Sequence, residues 1–326
     1  MNGRKQGHFF AVDRTAFHHV SGELDPALAY LVLARGTLED NRTSTWGAKS
    51  VATYVGMQWY RANRAIARLE EVGAVARLGV NRATYSLVPI TSGELEWIFM
   101  PNEIVTGAAL EPRPLALIRE TQDPLLLRLF VDLYDAQNLA EYGGIDWRVV
   151  RGTYRKVQLA KVREFTVWAF EDEGKEWTAG HPITAVHRIA GKAPYKDFFA
   201  RLNLLHQLGL LRRIPHLIRG DEIYHVFGVQ NTSDIEDEIG YLAQLAADEL
   251  LIGTGFEHRD VSKLPVYTKT GRNIELIDVT RLRYLPHTDM TAAWRCNLER
   301  QIETFGPLYR RLMKIGESSI RQSVIS

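Results

Sequence analysis

Hydrophobic residues recur with helical spacing in three successive segments between residues 25 and 87. The first segment opens with Asp25-Pro26, which predicts an N-cap followed by a proline in the first helical turn. The second segment is short, from Ser50 to Tyr54, and a glycine turn follows it. The third begins near Gln58 and has an apolar face that must pack on the first two helices. The pattern therefore predicts two helices and then a longer third helix.

A β-hairpin is predicted directly after the third helix, which closes at Gly73. Residues Val75–Leu78 and Thr84–Leu87 have the composition of two short strands, and Arg82 lies at the tip of the turn between them. Two helices, a recognition-type helix and a hairpin, in this order, form the plan of a winged-helix DNA-binding domain.

The third helix carries polar side chains of the types that bind DNA bases and phosphates. Arginine pairs with guanine edges, asparagine and glutamine pair with adenine, and each also contacts phosphate. The predicted major-groove residues are Gln58, Tyr60, Arg61, Asn63, Arg64 and Arg68. Arg82 is expected to reach the flanking backbone or the minor groove. A charged, solvated helix face has the same pattern without any DNA contact, and winged-helix units also serve as protein-binding modules.

The same pattern occurs a second time. Asp123-Pro124 repeats Asp25-Pro26 at an offset of 98 positions, and the apolar pattern before Gly209 repeats that before Gly73 at an offset of 136. The difference between the offsets predicts an insertion of 38 residues in the second copy, between its first helix and its recognition-type helix.

We call residues 25–87 the first repeat and residues 123–227 the second repeat. The wing of the second repeat is predicted at Leu211–Ile214 and Ile223–Phe227, joined by a loop that contains Pro215 and His216. Its recognition-type helix carries Lys196 and Arg201 as predicted DNA contacts. This helix is less basic than its counterpart, so it is expected to position the protein or to bind a partner.

The insertion contains the densest basic stretch of the chain, from Trp147 to Arg163. Six basic residues interleave there with aromatic ones, a composition that suits phosphate contact. The phosphate contacts predicted in this stretch are Arg148, Arg151, Arg155 and Lys156. The alternative is a solvated face whose charge is balanced by the acidic run Glu171-Asp172-Glu173.

The C-terminal third combines helices with a strand pair. A helix is predicted at Asp234–Leu251, and a pair of strands at Pro265–Lys269 and Ile274–Val279. A last helix is predicted at Thr291–Thr304, with Gly306-Pro307 breaking it. This region either mediates oligomerisation or partner binding, or completes the core of the second repeat.

Composition limits the function classes. Of 326 residues, 45% are hydrophobic and 24% charged, and the net charge of +1 argues against a protein that coats DNA by bulk electrostatics. The single cysteine, Cys296, excludes an internal disulfide and a cysteine-based zinc site. No apolar run could span a bilayer and no signal-peptide core is evident, so a cytoplasmic location is expected. Histidine spacing and motif content predict no metal, no cofactor and no catalytic residue.

On these residues, the first 90 positions resemble the winged helix-turn-helix domains of bacterial regulators. With the second repeat, the first 230 are similar to the tandem winged-helix replication initiators of plasmids and phages, which bind iterated origin DNA and often use one unit for dimerisation. The resemblance implies a non-enzymatic, sequence-specific protein that binds double-stranded DNA. The C-terminal region is expected to mediate homodimerisation or to bind a replication or regulatory protein. A winged-helix transcriptional repressor and a protein–protein adaptor that never contacts DNA are the alternatives.

The predicted fold is mainly α with small β-hairpins, in the α+β class. It consists of two winged-helix units and a C-terminal α/β extension. The expected domains are a first winged-helix domain at 1–100, a linker at 101–122, a second winged-helix domain with its insertion at 123–232, and a helical and hairpin extension at 233–326.

Overall fold

A computed structural model of the chain describes residues 8–79, 84–90, 94–109, 111–141, 143–219, 222–226, 236–256, 261–269 and 273–323. The described residues form two compact units. Unit 1 comprises Met1–Gln137, Pro182–Leu211 and Leu282–Asp289, and unit 2 comprises Asn138–His181, Arg212–Arg281 and Met290–Ser326. Residues 123–232, predicted as one domain, are thus divided between the two units.

The chain is a mixed α and β protein. Its helices are α1 (Arg14–Val20), α2 (Leu24–Arg35), α3 (Ala48–Val55), α4 (Trp59–Glu71), α5 (Glu103–Thr106), α6 (Pro114–Glu120), α7 (Pro124–Asp135), α8 (Pro182–Ala185), α9 (Lys196–Gln207), α10 (Glu236–Leu251) and α11 (Asp289–Ser323). Helices α5 and α6 lie in the predicted linker, and Leu115 and Ile118 of α6 are fully buried.

The strands are β1 (Phe9–Asp13), β2 (Thr43–Ser44), β3 (Val75–Arg77), β4 (Tyr85–Leu87), β5 (Trp97–Pro101), β6 (Gln137–Asn138), β7 (Gly144–Ile145), β8 (Arg151–Val162), β9 (Phe165–Trp177), β10 (Leu211–Arg219), β11 (Glu222–Val226), β12 (Ser262–Tyr267) and β13 (Ile274–Leu282). In unit 1, β1 pairs antiparallel with β5, and a second sheet has the order β2-β4-β3. The predicted β3–β4 hairpin is confirmed, because Ala76 lies opposite Ser86 in an antiparallel ladder.

The first repeat packs its helices around α2, whose residues Pro26–Ala34 are all buried. Helix α4 contributes a buried side, as its apolar spacing predicted. Gly56 ends α3 with a φ of 72° and donates its backbone N–H to Ala52, a left-handed cap that favours glycine. The short turn after this cap sets the direction in which α4 begins.

The predicted start of α2 is wrong. The helix begins at Leu24, and Glu23 occupies the N-cap position, so Asp25 lies inside the first turn. Its carboxylate binds an arginine of α4 instead of capping the helix. In the second repeat the same signal is correct: Asp123 caps α7 by accepting from the backbone N–H groups of Leu125 and Leu126, and Pro124 is the first helical residue.

Unit 2 is built on a six-stranded sheet with the order β11-β10-β13-β8-β9-β12. The predicted hairpin of β12 and β13 is wrong, because β8 and β9 lie between these two strands. Strand β12 pairs with β9, and β13 pairs with β8. A sheet of this size was not expected from the sequence.

The second repeat has a strand pair where its wing was predicted, but the residues differ. The described register pairs residues 216–219 with β11, and these positions were predicted to lie in the loop. Strands β10 and β11 are antiparallel, as predicted. However, β10 continues to Arg219, so Pro215 and His216 belong to the strand instead of the loop. The strand is longer because it lies between β11 and β13, and ladders on both sides satisfy its backbone. Phe227 lies outside the described residues.

Helix α10 covers the sheet of unit 2, and Ala243, Ala247 and Leu251 bury their side chains against it. Helix α11 adds Tyr309 and Leu312 to the same core. The predicted end of α11 near Thr304 is wrong, because the helix continues through Pro307 to Ser323. A proline removes one backbone donor from a helix, and the buried side chains beyond it offset that loss.

Among the described residues, no helix is both long enough and apolar enough to cross a membrane.

Candidate nucleic-acid interface

Helix α4 has distinct sides, because successive residues of an α-helix are turned by about 100°. Its buried side carries Ala62, Ala65, Ile66 and Leu69. The opposite side faces solvent and carries Tyr60, Arg64 and Ala67. We call these three residues the α4 stripe.

The α4 stripe is accessible to a partner. Tyr60 is 61% exposed, and its neighbour Trp59 is 63% exposed. Arg64 is exposed as well, and within the described part of the chain its guanidinium has neither an ion-pair nor a hydrogen-bond partner. Gln58 is exposed at the N-cap position, and Asn63 is half-buried on the side of Trp59. Of the predicted groove residues, Tyr60 and Arg64 are therefore the most available.

Sequence reasoning missed two residues of this surface. Ala67 lies one turn beyond Arg64, and the helical spacing that joins Tyr60 to Arg64 would have found it. Trp59 has the hydrophobicity of a core residue, and nothing local marks it as exposed.

Arg61 lies on the flank of α4 that faces the start of α2. Its Nε and Nη2 atoms both donate to Oδ2 of Asp25, at 3.0 and 2.7 Å. Both side chains are partly shielded from solvent, 33% exposed for Arg61 and 20% for Asp25. A predicted groove residue is thus engaged with a carboxylate of its own chain.

Arg68 has two carboxylate partners on the same flank. Its Nε donates to Glu23 at 2.9 Å, and its Nη1 lies 2.9 Å from Glu71. The hydrogen bonds that Arg68 donates to Glu71 and Glu23 raise its pKa above the usual value.

An open groove of about 480 Å³ runs along this flank of α4. Its charged lining consists of Arg61, Arg64, Arg68, Glu23, Asp25 and Glu71. Three cations face three carboxylates, so the formal charge of the groove is zero. This balance could not be predicted from α4 alone, since Glu23 and Asp25 precede their arginines by 45 and 36 positions.

The hairpin after α4 presents Arg77 on β3 as an exposed cation. Arg82, predicted at the tip of the hairpin, lies outside the described residues. Its expected contact with the DNA backbone or the minor groove stays a prediction.

The second repeat holds its arginine in the same way as the first. Arg201 of α9 donates from Nε to Oδ2 of Asp123 at 2.7 Å, and its Nη1 lies 3.4 Å from Nδ1 of His187. Burial, together with the charge of Arg201, lowers the pKa of His187 to about 4. Lys196, at the first position of α9, is exposed and forms no such pair in the described residues.

The basic stretch of unit 2 forms β8 of a long antiparallel hairpin, where the acidic run lies on the facing strand. Arg155 is opposite Glu171, and its guanidinium donates to that carboxylate, with an Nε distance of 3.0 Å. The predicted balance by the acidic run is therefore confirmed for Arg155. Arg148 lies 3.6 Å from Asp146 and has its guanidinium 4.7 Å from the ring centre of Trp147.

Arg151 and Lys156 also have contacts within unit 2. The guanidinium of Arg151 lies 4.9 Å from the ring centre of Trp147 and 4.7 Å from that of Trp177. The ammonium of Lys156 lies 4.5 Å from the ring centre of Trp168 and donates to a backbone oxygen at 2.8 Å. Burial lowers the pKa of Lys156. These cations stabilise aromatic surfaces of their own unit.

A polar cluster around the buried Asp278 spans β8, β9, β10 and β13 in unit 2. Tyr154 donates its hydroxyl to Asp278 at 2.8 Å, and Arg213 donates to Glu176 at 2.8 Å. Gly152 lies opposite both carboxylate residues, and a Cβ there would meet Asp278 at 3.0 Å. Burial raises the pKa of Asp278 to about 6, so this carboxyl gains a proton more easily than an exposed one.

In the part of the chain that the structure describes, no group of three or more His, Cys, Asp or Glu residues is placed to hold a metal ion. The surfaces that remain for recognition are the α4 stripe with its flanking groove and the exposed side of α9.

Comparison with protein-family models, curated proteins and solved structures finds no match to this chain.

Proposed function

We propose that this chain is a non-enzymatic protein that binds double-stranded DNA at a specific sequence, with α4 in the major groove. The order α2, β2, α3, α4, β3, β4 supports the proposal, since it is the order of elements in a winged-helix unit. In helix-turn-helix proteins the recognition helix contacts base edges from the major groove.

The single observation that carries the proposal is the exposed α4 stripe. The guanidinium of Arg64 has no partner among the residues that the structure describes, and a guanidinium that is available in this way can donate to both O6 and N7 of guanine. The hydroxyl of Tyr60 suits a phosphate, and the methyl of Ala67 suits the methyl group of thymine. Gln58 and Asn63 flank the stripe with amides that pair with adenine.

We assign different roles to the other cations. Arg61 and Arg68 are bound by carboxylates of unit 1, and Arg201 is bound in the same way in the second repeat. We assign Arg148, Arg151, Arg155 and Lys156 to the stability of unit 2, because each contacts a carboxylate or a tryptophan there. Lys196 keeps its proposed role as a phosphate contact of the second repeat.

Within DNA binding, we favour a replication initiator of a plasmid, phage or other mobile element over a transcriptional repressor. Two helix sets of the same order, α2 to α4 and α7 to α9, lie in one chain, as in the tandem initiators that the sequence resembles. A cytoplasmic location and a homodimer or protein partner at the C-terminal region belong to this proposal. An initiator's motif should recur as an array beside an origin, and a repressor's motif should lie at a promoter.

A specific observation favours a second candidate, a protein–protein adaptor. Trp59 and Tyr60 are exposed side by side, and aromatic residues are enriched in the buried centres of protein interfaces. The neutral groove on the Arg61 flank of α4 would also accept a protein surface more readily than a phosphate backbone.

Selection from a random-sequence duplex library separates these functions. The purified protein is incubated with the library at about 50 mM and about 200 mM salt, a range over which phosphate contacts lose much of their strength. We expect one motif to be enriched at both salt concentrations. Binding without a motif, lost at the higher salt, would leave only a basic surface, and the absence of binding at both would favour the adaptor.

A further inference from the structure

The α4 groove places carboxylates where a DNA-binding surface would be expected to be basic. Arg61 donates twice to Asp25, and Arg68 contacts both Glu23 and Glu71. Only Arg64, among the three arginines of the groove, has no carboxylate partner in the described residues.

The two ion pairs differ in how firmly they hold their arginines. The Arg61–Asp25 pair is partly buried and uses two donors of the guanidinium. The Arg68–Glu23 pair is open to water, with Glu23 57% exposed, and exposed pairs contribute little free energy. A phosphate could therefore displace Glu23 more easily than Asp25.

Carboxylates at this position also act directly on DNA. A phosphate that approaches the flank of α4 meets Glu23 and Asp25 within the range over which charges interact at physiological salt, about 8 Å. Repulsion of this kind acts on every duplex, whereas base contacts by the α4 stripe favour only the matching sequence. The penalty therefore limits sequence-independent binding, which has no base contacts to offset it.

We infer that Glu23 and Asp25 are specificity-determining residues, which withhold Arg68 and Arg61 from phosphate and so suppress sequence-independent DNA binding. This inference rests on the proposed function. Among the arginines of the groove, Arg64 then remains available to bind a base or a phosphate.

The test measures binding of a fluorescein-labelled duplex of mixed sequence by anisotropy, over a range of salt. The variants are Asp25→Asn, which removes the carboxylate partner of Arg61, and the double variant Glu23→Gln with Glu71→Gln, which removes both carboxylate partners of Arg68. All of these substitutions keep side-chain shape. Glu94→Gln is the matched control, since Glu94 is exposed in the segment before β5, which pairs with β1.

Each groove variant should bind this duplex roughly fivefold more tightly at about 50 mM salt, and the slope of log K against log salt should steepen by about 0.9 for the released arginine. Glu94→Gln should match the wild type. In the double variant Asp25→Asn with Arg61→Ala, the gain should disappear, a result that loosened packing alone would not produce.

Two failures can be told apart. If the wild type selects a motif and both groove variants bind the mixed duplex no more tightly than the wild type, the inference is overturned and the proposed function stands. If the wild type binds no duplex and neither variant does, the proposed function fails, and the inference fails with it. Should Asp25→Asn fail to fold, the double variant Glu23→Gln with Glu71→Gln, whose positions are exposed, decides alone.

Discussion

Arg201 donates to Asp123 at 2.7 Å, a contact that joins the third helix of the second repeat to the start of its first helix. Arg61 and Asp25 form the same contact in the first repeat. The two aspartates are not equivalent, however, because Asp123 also caps α7 whereas Asp25 caps nothing. The pair in the second repeat therefore combines a helix cap with an ion pair.

Substitution at Asp123 should separate these two roles. An asparagine can still cap a helix but has no charge, so Asp123→Asn removes only the ion pair with Arg201. Asp123→Ala removes both, and it should lower the free energy of unfolding by about 1 kcal/mol more than Asp123→Asn does. Urea denaturation followed by circular dichroism measures the difference. Equal stability of the two variants would contradict the capping role.

The pH dependence of stability should carry a contribution from Asp278. Burial raises its pKa from 3.8 to about 6 in the folded chain, so folding favours the protonated carboxyl. This contribution to stability is fully present below pH 3.8 and is lost as the pH rises through about 6. It is on the order of 3 kcal/mol at most, since a tenfold change in proton affinity is about 1.4 kcal/mol.

The measurement is the difference in unfolding free energy between wild type and Asp278→Asn across this pH range. Other titrating groups cancel in the difference, and the asparagine still accepts from the hydroxyl of Tyr154. The wild type should lose stability relative to the variant as the pH rises. A flat difference curve would show that the folded chain does not perturb this carboxyl.

The packing of α4 on the first repeat should depend on Leu69, which is fully buried. Leu69→Ala leaves a cavity and should cost about 2 to 5 kcal/mol of unfolding free energy. Its exposed neighbour serves as the control, because Glu70→Ala should change stability by less than about 0.5 kcal/mol. Chemical denaturation of both variants measures this contrast, and similar values for the two would place Leu69 outside the core.

Arg151 should contribute to the stability of unit 2 and not to DNA binding. Its guanidinium contacts the rings of Trp147 and Trp177, and such contacts contribute roughly 1 kcal/mol each. Arg151→Ala should therefore lower the unfolding temperature while leaving the salt dependence of duplex binding unchanged. A shallower salt dependence in this variant would show instead that Arg151 contacts phosphate.

Local signals in the sequence predicted local structure well. The cap at Asp123-Pro124, the left-handed glycine at Gly56 and the β3–β4 hairpin each depend on neighbouring residues, and the structure has all three. The third helix was expected from Gln58 to Val72, and α4 runs from Trp59 to Glu71.

Distant pairings could not be predicted in the same way. Strands β12 and β13 are close in sequence, but β12 pairs with β9 and β13 pairs with β8, and both of these partners lie far earlier in the chain. Asp25 and Glu23, which bind Arg61 and Arg68, are also distant from them in sequence. The neutral groove could therefore not be predicted from the residues of α4 alone. Helix α11 continues past Pro307 because Tyr309 and Leu312 beyond it are buried. A prediction made from the proline alone does not include the free energy of that burial.

Among the proposed base contacts of α4, that of Arg64 is the most decisive to test. Parallel selections from one random duplex library with wild type, Arg64→Ala and Arg311→Ala test it, since Arg311 is an exposed helical arginine on α11. We predict that wild type and Arg311→Ala recover the same motif, and that Arg64→Ala loses the preference at one base position while keeping the others. Recovery of the unchanged motif by Arg64→Ala would contradict the account.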